Sequence, residues 1–184
     1  MNKTNTILLA LSLLLISAGA NAQKYMTRTG KISFYSSTPM ENIEAYNNEV
    51  ASIADAGTGD LVFQVPIKSF KFEKALMQEH FNENYMESDT YPKAEFKGKI
   101  NDFNKVDVNK DGTYTVTAAG KLTMHGVTQD VAVPGSIVIK GTTMTIQTKF
   151  NVRPADYKIK VPAMVAGKIA SEIEVTVKSI LDRK

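Results

Sequence analysis

The chain has no cysteine, no tryptophan and only 2 histidines among its 184 residues. The missing cysteines exclude disulfides, thiolate metal ligands and thiol nucleophiles together. A catalytic zinc site usually takes three protein ligands, often imidazoles, and His80 and His125 show no H-x-x-x-H spacing. There is no G-x-S-x-G elbow for a serine nucleophile and no glycine-rich phosphate loop. Charge is nearly balanced, with Lys+Arg 22 against Asp+Glu 19, so nothing calls for nucleic acid as a partner. Long apolar runs are also missing. The longest, Ile7–Ile16, falls well short of the roughly 20 residues that span a bilayer.

That short run has a different reading. Lys3 precedes it, and Ser17-Ala18-Gly19-Ala20-Asn21-Ala22 follows with small residues in an A-x-A pattern. A charged start, an apolar stretch and a small-residue cleavage site make a secretory signal over residues 1–22, cut after Ala22. No cysteine follows for lipid attachment. The expected mature chain, 23–184, is one domain delivered to the periplasm or secreted, and large enough for a single core without staples.

Period-two alternation dominates that domain, the pattern of half-buried strands. It covers Lys31–Phe34, Leu61–Ile67, Tyr114–Met124, Met144–Val152 and Ile173–Val177, with further strands expected over Val50–Ala54, Ala94–Phe103 and Gln129–Ile139. Gly57-Thr58-Gly59-Asp60, Lys110-Asp111-Gly112 and Lys140-Gly141 supply turn chemistry between them. From Glu73 to Met86 the period changes. Met77, Phe81 and Tyr85 fall at successive i, i+4 positions, which predicts a short amphipathic helix before Pro92. A weaker helical pattern covers Val161–Ile169. The fold expected is mainly β: about eight antiparallel strands in a barrel or a sandwich, with one short inserted α-helix.

Three groups of residues invite a functional reading. Asp107-Val108-Asn109-Lys110-Asp111-Gly112 opens like a calcium loop, but its twelfth position is Ala118 where a bidentate Glu belongs, so a hairpin turn at Asp111-Gly112 is the better reading. Lysines cluster at Lys68, Lys71 and Lys74 and again at Lys93, Lys97 and Lys99, either as a solvated face or as a basic rim for a phosphate headgroup. The apolar set Phe63, Phe70, Phe72, Leu76, Met77, Phe81, Phe96, Met124, Met144 and Phe150 suffices for an ordinary core. Periodicity does not tell a filled barrel from a hollow one.

A resemblance narrows this. His80-Phe81-Asn82 followed by Tyr91-Pro92-Lys93-Ala94-Glu95-Phe96, the stretch Gly120-Lys121-Leu122-Thr123-Met124-His125-Gly126-Val127-Thr128, and the later Phe150-Asn151-Val152 and Asp156-Tyr157-Lys158-Ile159 resemble the YceI-like family in order and spacing. The resemblance implies a lipocalin-like β-barrel, often periplasmic, that holds an amphipathic ligand such as an isoprenoid. On that reading Phe63, Phe70, Met77, Phe81, Phe96, Met124 and Phe150 are the candidate ligand-binding residues, with the helix near the pocket mouth. No cofactor, metal or catalytic residue is expected. The partner is an apolar small molecule, the chain does not span a membrane, and a homodimer is compatible with it. Family members often carry a histidine in the first strand, and none occurs here between Gln23 and Glu79. The alternatives are a packed structural or interaction module of the envelope and, less favoured, an enzyme dependent on His125.

Overall fold

A computed structural model describes residues 23–184, so the expected signal, 1–22, lies outside the described residues. Nine strands form one antiparallel sheet. These are β1 (Lys24–Ser37), β2 (Asn42–Asp55), β3 (Asp60–Pro66), β4 (Lys71–Phe72), β5 (Lys93–Ile100), β6 (Gly112–Met124), β7 (Val127–Lys140), β8 (Thr143–Val152) and β9 (Ile173–Arg183). The order β1-β9-β8-β7-β6-β5-β3-β2 closes on itself through a β1–β2 pairing, and the two-residue β4 hangs on β2. The result is an eight-stranded barrel with one extra strand, which leaves few edges unpaired.

Alternation sets which side chains enter the barrel. In β3, Leu61, Phe63 and Val65 are buried while Gln64 faces out, and Phe63 lies opposite the inward Phe96 of β5. One end of the barrel is packed solid. Tyr25, Ile139, Met144 and Leu181 are all 1% exposed or less, and Phe103 and Val106 of the β5–β6 loop close over them. Tyr25 donates its hydroxyl to Val108 O at 3.4 Å, and the Arg183 guanidinium sits 5.8 Å from its ring centroid. Higher in the interior, buried Ser52 and Ser179 hydrogen-bond to each other at 2.7 Å, beside Gly30.

Several expectations need correction. The expected short helix is present, with one departure in its winding. α1 runs Ala75–His80 and passes into a π-helical turn, Phe81–Tyr85, in which Met86 N–H bonds to Phe81 O at 2.9 Å. The Val161–Ile169 pattern yields only a 3-10 turn, Ala163–Val165, because Pro162 and Gly167 bracket it. β5 ends at Ile100 rather than Phe103, since Asp102 turns to a left-handed φ of 52°. The calcium-like run lies in the long loop joining antiparallel β5 and β6. There the Asp107 carboxylate accepts from Asn109 N–H at 3.0 Å, and Asp111 accepts from Gly141 N–H at 2.8 Å in the neighbouring turn.

Candidate ligand-binding site

Above the packed base the barrel is hollow. The cavity measures about 570 Å³, within the usual range for small-molecule pockets, and its wall is almost wholly apolar. All nine strands send side chains to it, among them Ile32 and Phe34 from β1, Phe72 from β4, Val116, Ala118, Leu122 and Met124 from β6, and Val175 and Val177 from β9. All seven residues named as ligand candidates from sequence, Phe63, Phe70, Met77, Phe81, Phe96, Met124 and Phe150, stand on this wall. Met144, from the same apolar set, belongs instead to the solid base.

The roof is an aromatic lid. α1 has no fully buried side chain of its own, and Phe81 is what fastens it. The Phe81 ring stacks on Phe34 at 5.4 Å between centroids and meets Phe70 at 5.5 Å and Phe72 at 5.1 Å. Phe34 in turn meets Phe70 at 5.4 Å. Such pairs add about 0.5–1.5 kcal/mol each beyond area burial. Phe34 and Phe72 were not among the named candidates. The alternation Ile32, Phe34 in β1 carried the signal for Phe34, while Phe72 lies in a two-residue strand too short to show a period.

One wall is split. β7 pairs with β6 from Val127 to Ile139 but with β8 only from Gly135 to Lys140. Gly135 marks the fork. A Cβ there would lie 2.6 Å from Gln147 O, so only glycine lets the two backbones approach so closely. Pro134, just above, has no N–H to contribute to a ladder, and the Thr148 hydroxyl donates to its carbonyl at 2.5 Å. Beyond the fork Val131 and Val133 of β7 and Phe150 and Val152 of β8 face the cavity with no pairing between the two strands, which widens the upper barrel. The gap is bridged by Gln129, whose Nε2 donates to Asp156 O at 2.9 Å.

His125 braces this upper end from outside the cavity. It occupies the β6–β7 turn with φ of 51°, ahead of Gly126 at 72°. Its Nδ1 lies 3.0 Å from Tyr157 O, and because a carbonyl only accepts, Nδ1 carries the proton. Nε2 lies 3.3 Å from the Glu87 carboxylate; the contact has ion-pair distance but not hydrogen-bond alignment. The Tyr91 ring meets the imidazole edge-on at 4.7 Å. So the histidine ties the hairpin to the segment after the lid and to the Tyr157 turn, whereas His80 is exposed on the lid at the cavity's mouth. Burial, and then Asp156, push the Tyr157 phenol up from its ordinary value. Among the described residues no three His, Cys, Asp or Glu side chains stand close enough to hold a metal ion.

Four of the six clustered lysines form ion pairs, and among the described residues Lys71 and Lys99 have no carboxylate partner. Lys68 meets Asp89, Lys74 lies 3.7 Å from Glu41, and Lys97 and Lys93 flank Glu95 at 2.6 and 3.6 Å. Hydrogen bonds from Lys97 and Gln64 hold the Glu95 carboxyl below its usual range, against the opposing effect of desolvation.

A closed barrel with an apolar, one-ended chamber is an architecture suited to enclosing an apolar molecule. The chain belongs to the YceI-like domain family, whose profile matches residues 23–180. Its fold is shared with a polyisoprenoid binding domain from Saccharophagus degradans (TM-score 0.72, 14% identity, 89% of this chain and 99% of that one). It is shared also with BcnA of Burkholderia cenocepacia (TM-score 0.68, 17% identity, 83% and 95%). A Campylobacter jejuni YCEI protein is similar at TM-score 0.60 and 17% identity, over 76% of this chain and 84% of that one. No curated protein sequence matches the chain.

Proposed function

We propose that this protein is an exported carrier or sequestering protein that holds an isoprenoid or similar amphipathic lipid in the upper barrel. The observation that carries the reading is the cavity itself, about 570 Å³ walled by the seven candidate residues and their apolar neighbours. Burying a hydrocarbon chain there gains roughly 0.8 kcal/mol for each CH₂ removed from water. The hollow interior favours this over a packed interaction module. Family membership and the fold shared with a polyisoprenoid binding domain support the same ligand class. The signal pattern of residues 1–22 supports delivery to the periplasm, where such a chain has no soluble route of its own. No helix among the described residues is long and apolar enough to cross a membrane.

Native mass spectrometry of protein purified from the envelope of an expressing bacterium tests this. The expected result is a mass increment that organic extraction releases as a lipid. Recovery of apo protein only, with no affinity for added isoprenoid alcohols, would overturn it.

A further inference from the structure

The mouth of the cavity is ringed by three segments whose tips are apolar and bare. Met40 in the β1–β2 turn is 68% exposed, Leu76 in the first turn of α1 60%, and Met164 in the β8–β9 loop 93%. The three belong to one opening. Glu41, Lys74, Leu76, Val165 and Lys168 all stand on the cavity wall. Lys74 reaches Glu41 at 3.7 Å, joining the lid to the β1–β2 turn. The β8–β9 loop packs on that same turn, since a Cβ on Gly167 would lie 2.8 Å from Met40 Sδ.

That loop is unusual in composition. From 161 to 170 it reads Val-Pro-Ala-Met-Val-Ala-Gly-Lys-Ile-Ala, with no acidic residue and one cation, Lys168. Among the described residues Lys168 has no carboxylate partner. Its base is fixed, because Arg153 and Glu172 pair at 2.9 Å at the foot of the loop. The tip therefore stands out as an anchored apolar prong. A fully exposed methionine costs free energy in water and gains it in hydrocarbon.

We propose that this rim is a membrane-docking surface: the protein seats its mouth on a phospholipid bilayer, with Met164 entering the acyl boundary and Met40 and Leu76 lying beside it. Lys168, the rim lysine without a carboxylate partner, meets anionic headgroups. Rim and mouth coincide, so a docked protein presents its chamber directly to the bilayer and an apolar chain moves between them without crossing water. The inference rests on the lipid-binding reading of the cavity, but it concerns a separate surface and is measured separately.

The absence of tryptophan makes the test clean. Met164→Trp places a single indole on the prong. With vesicles of phosphatidylethanolamine and phosphatidylglycerol, its emission is expected to shift to the blue and to be quenched by lipids brominated near the headgroup. The wild-type mature chain is expected to co-float with the same vesicles. Met164→Asp should lower the bound fraction by about tenfold, the loss of one buried apolar side chain. Lys168→Glu should weaken binding to anionic vesicles more than to neutral ones. Met164 is not part of the cavity wall, so Met164→Asp should keep wild-type affinity for a soluble isoprenoid alcohol, which separates failure of docking from failure of the pocket. No flotation of the wild-type chain, or flotation indifferent to Met164→Asp, overturns the proposal. So does a concentration-dependent dimer abolished by Met164→Asp without any vesicle binding, which would assign the rim to a second copy of the chain.

Discussion

The two ends of this barrel are built from the same strands and come out differently. At the base, Tyr25, Ile139, Met144 and Leu181 interlock beneath Phe103 and Val106, and the loop from 101 to 111 fills what space is left. At the top, β7 and β8 part at Gly135, the lid is fastened chiefly by Phe81, and about 570 Å³ stays open among side chains as apolar as those below. The difference lies in how the ends are closed. A loop that turns inward plugs the base, and a forked wall with a helical lid roofs the top. Stability is thereby concentrated at one end and capacity at the other.

The comparison can be broken by exchanging the chemistry of the ends. The largest effect is expected from truncation in the base. Leu181→Ala or Met144→Ala should cost about 2–5 kcal/mol in urea unfolding, the range for fully packed core sites. Met77→Ala on the cavity wall removes similar atoms but fewer contacts. It should cost less than about 1 kcal/mol of stability while weakening isoprenoid binding, since its partner there is the ligand. Equal destabilisation by the two methionine truncations would erase the distinction.

Overpacking sharpens it from the other side. Ala54→Leu, at a site 1% exposed in the base, should lose about 1–3 kcal/mol. Leu122→Trp, directed into the void, should leave the free energy of urea unfolding within about 0.5 kcal/mol of wild type and abolish uptake of a fluorescent isoprenoid.

The brace at His125 is expected to have a smaller effect. His125→Ala leaves the Tyr157 carbonyl without its donor and removes the Tyr91 contact, costing about 1–2 kcal/mol. His125→Asn, which tolerates a φ of 51°, should recover part of that in the same assay. The smallest effect belongs to Glu95. Its carboxyl is held below the usual range when folded, so its contribution is present above the unfolded value of about 4.3 and lost as pH falls through the folded one. Urea unfolding at about pH 7 and about pH 3 should show Glu95→Gln removing under about 1 kcal/mol of acid-sensitive stability.

Much of this was legible before any coordinates. Alternation in residues 61–67, 114–124 and 144–152 named strands and their inward faces, and all seven candidate residues reached the cavity wall. The division into packed and hollow was not legible, because Met124 and Met144 sit in strands with the same alternating pattern. One lines the chamber and the other is buried in the base. What separates them is where β8 leaves β7 and which way a loop folds, and both depend on contacts far apart in the chain. Phe34 and Phe72 escaped notice as lid anchors for the same reason, since their meeting with Phe81 is made by the closed barrel.

The most direct test uses the methionines as reporters. In protein labelled with ¹³C at the methionine methyls and titrated with a long isoprenoid alcohol, the Met77 and Met124 resonances should shift and show contacts to ligand protons. Met144 should stay where it is. Uniform shifts at all three, or none at Met77 and Met124, would contradict a chamber confined to the upper barrel.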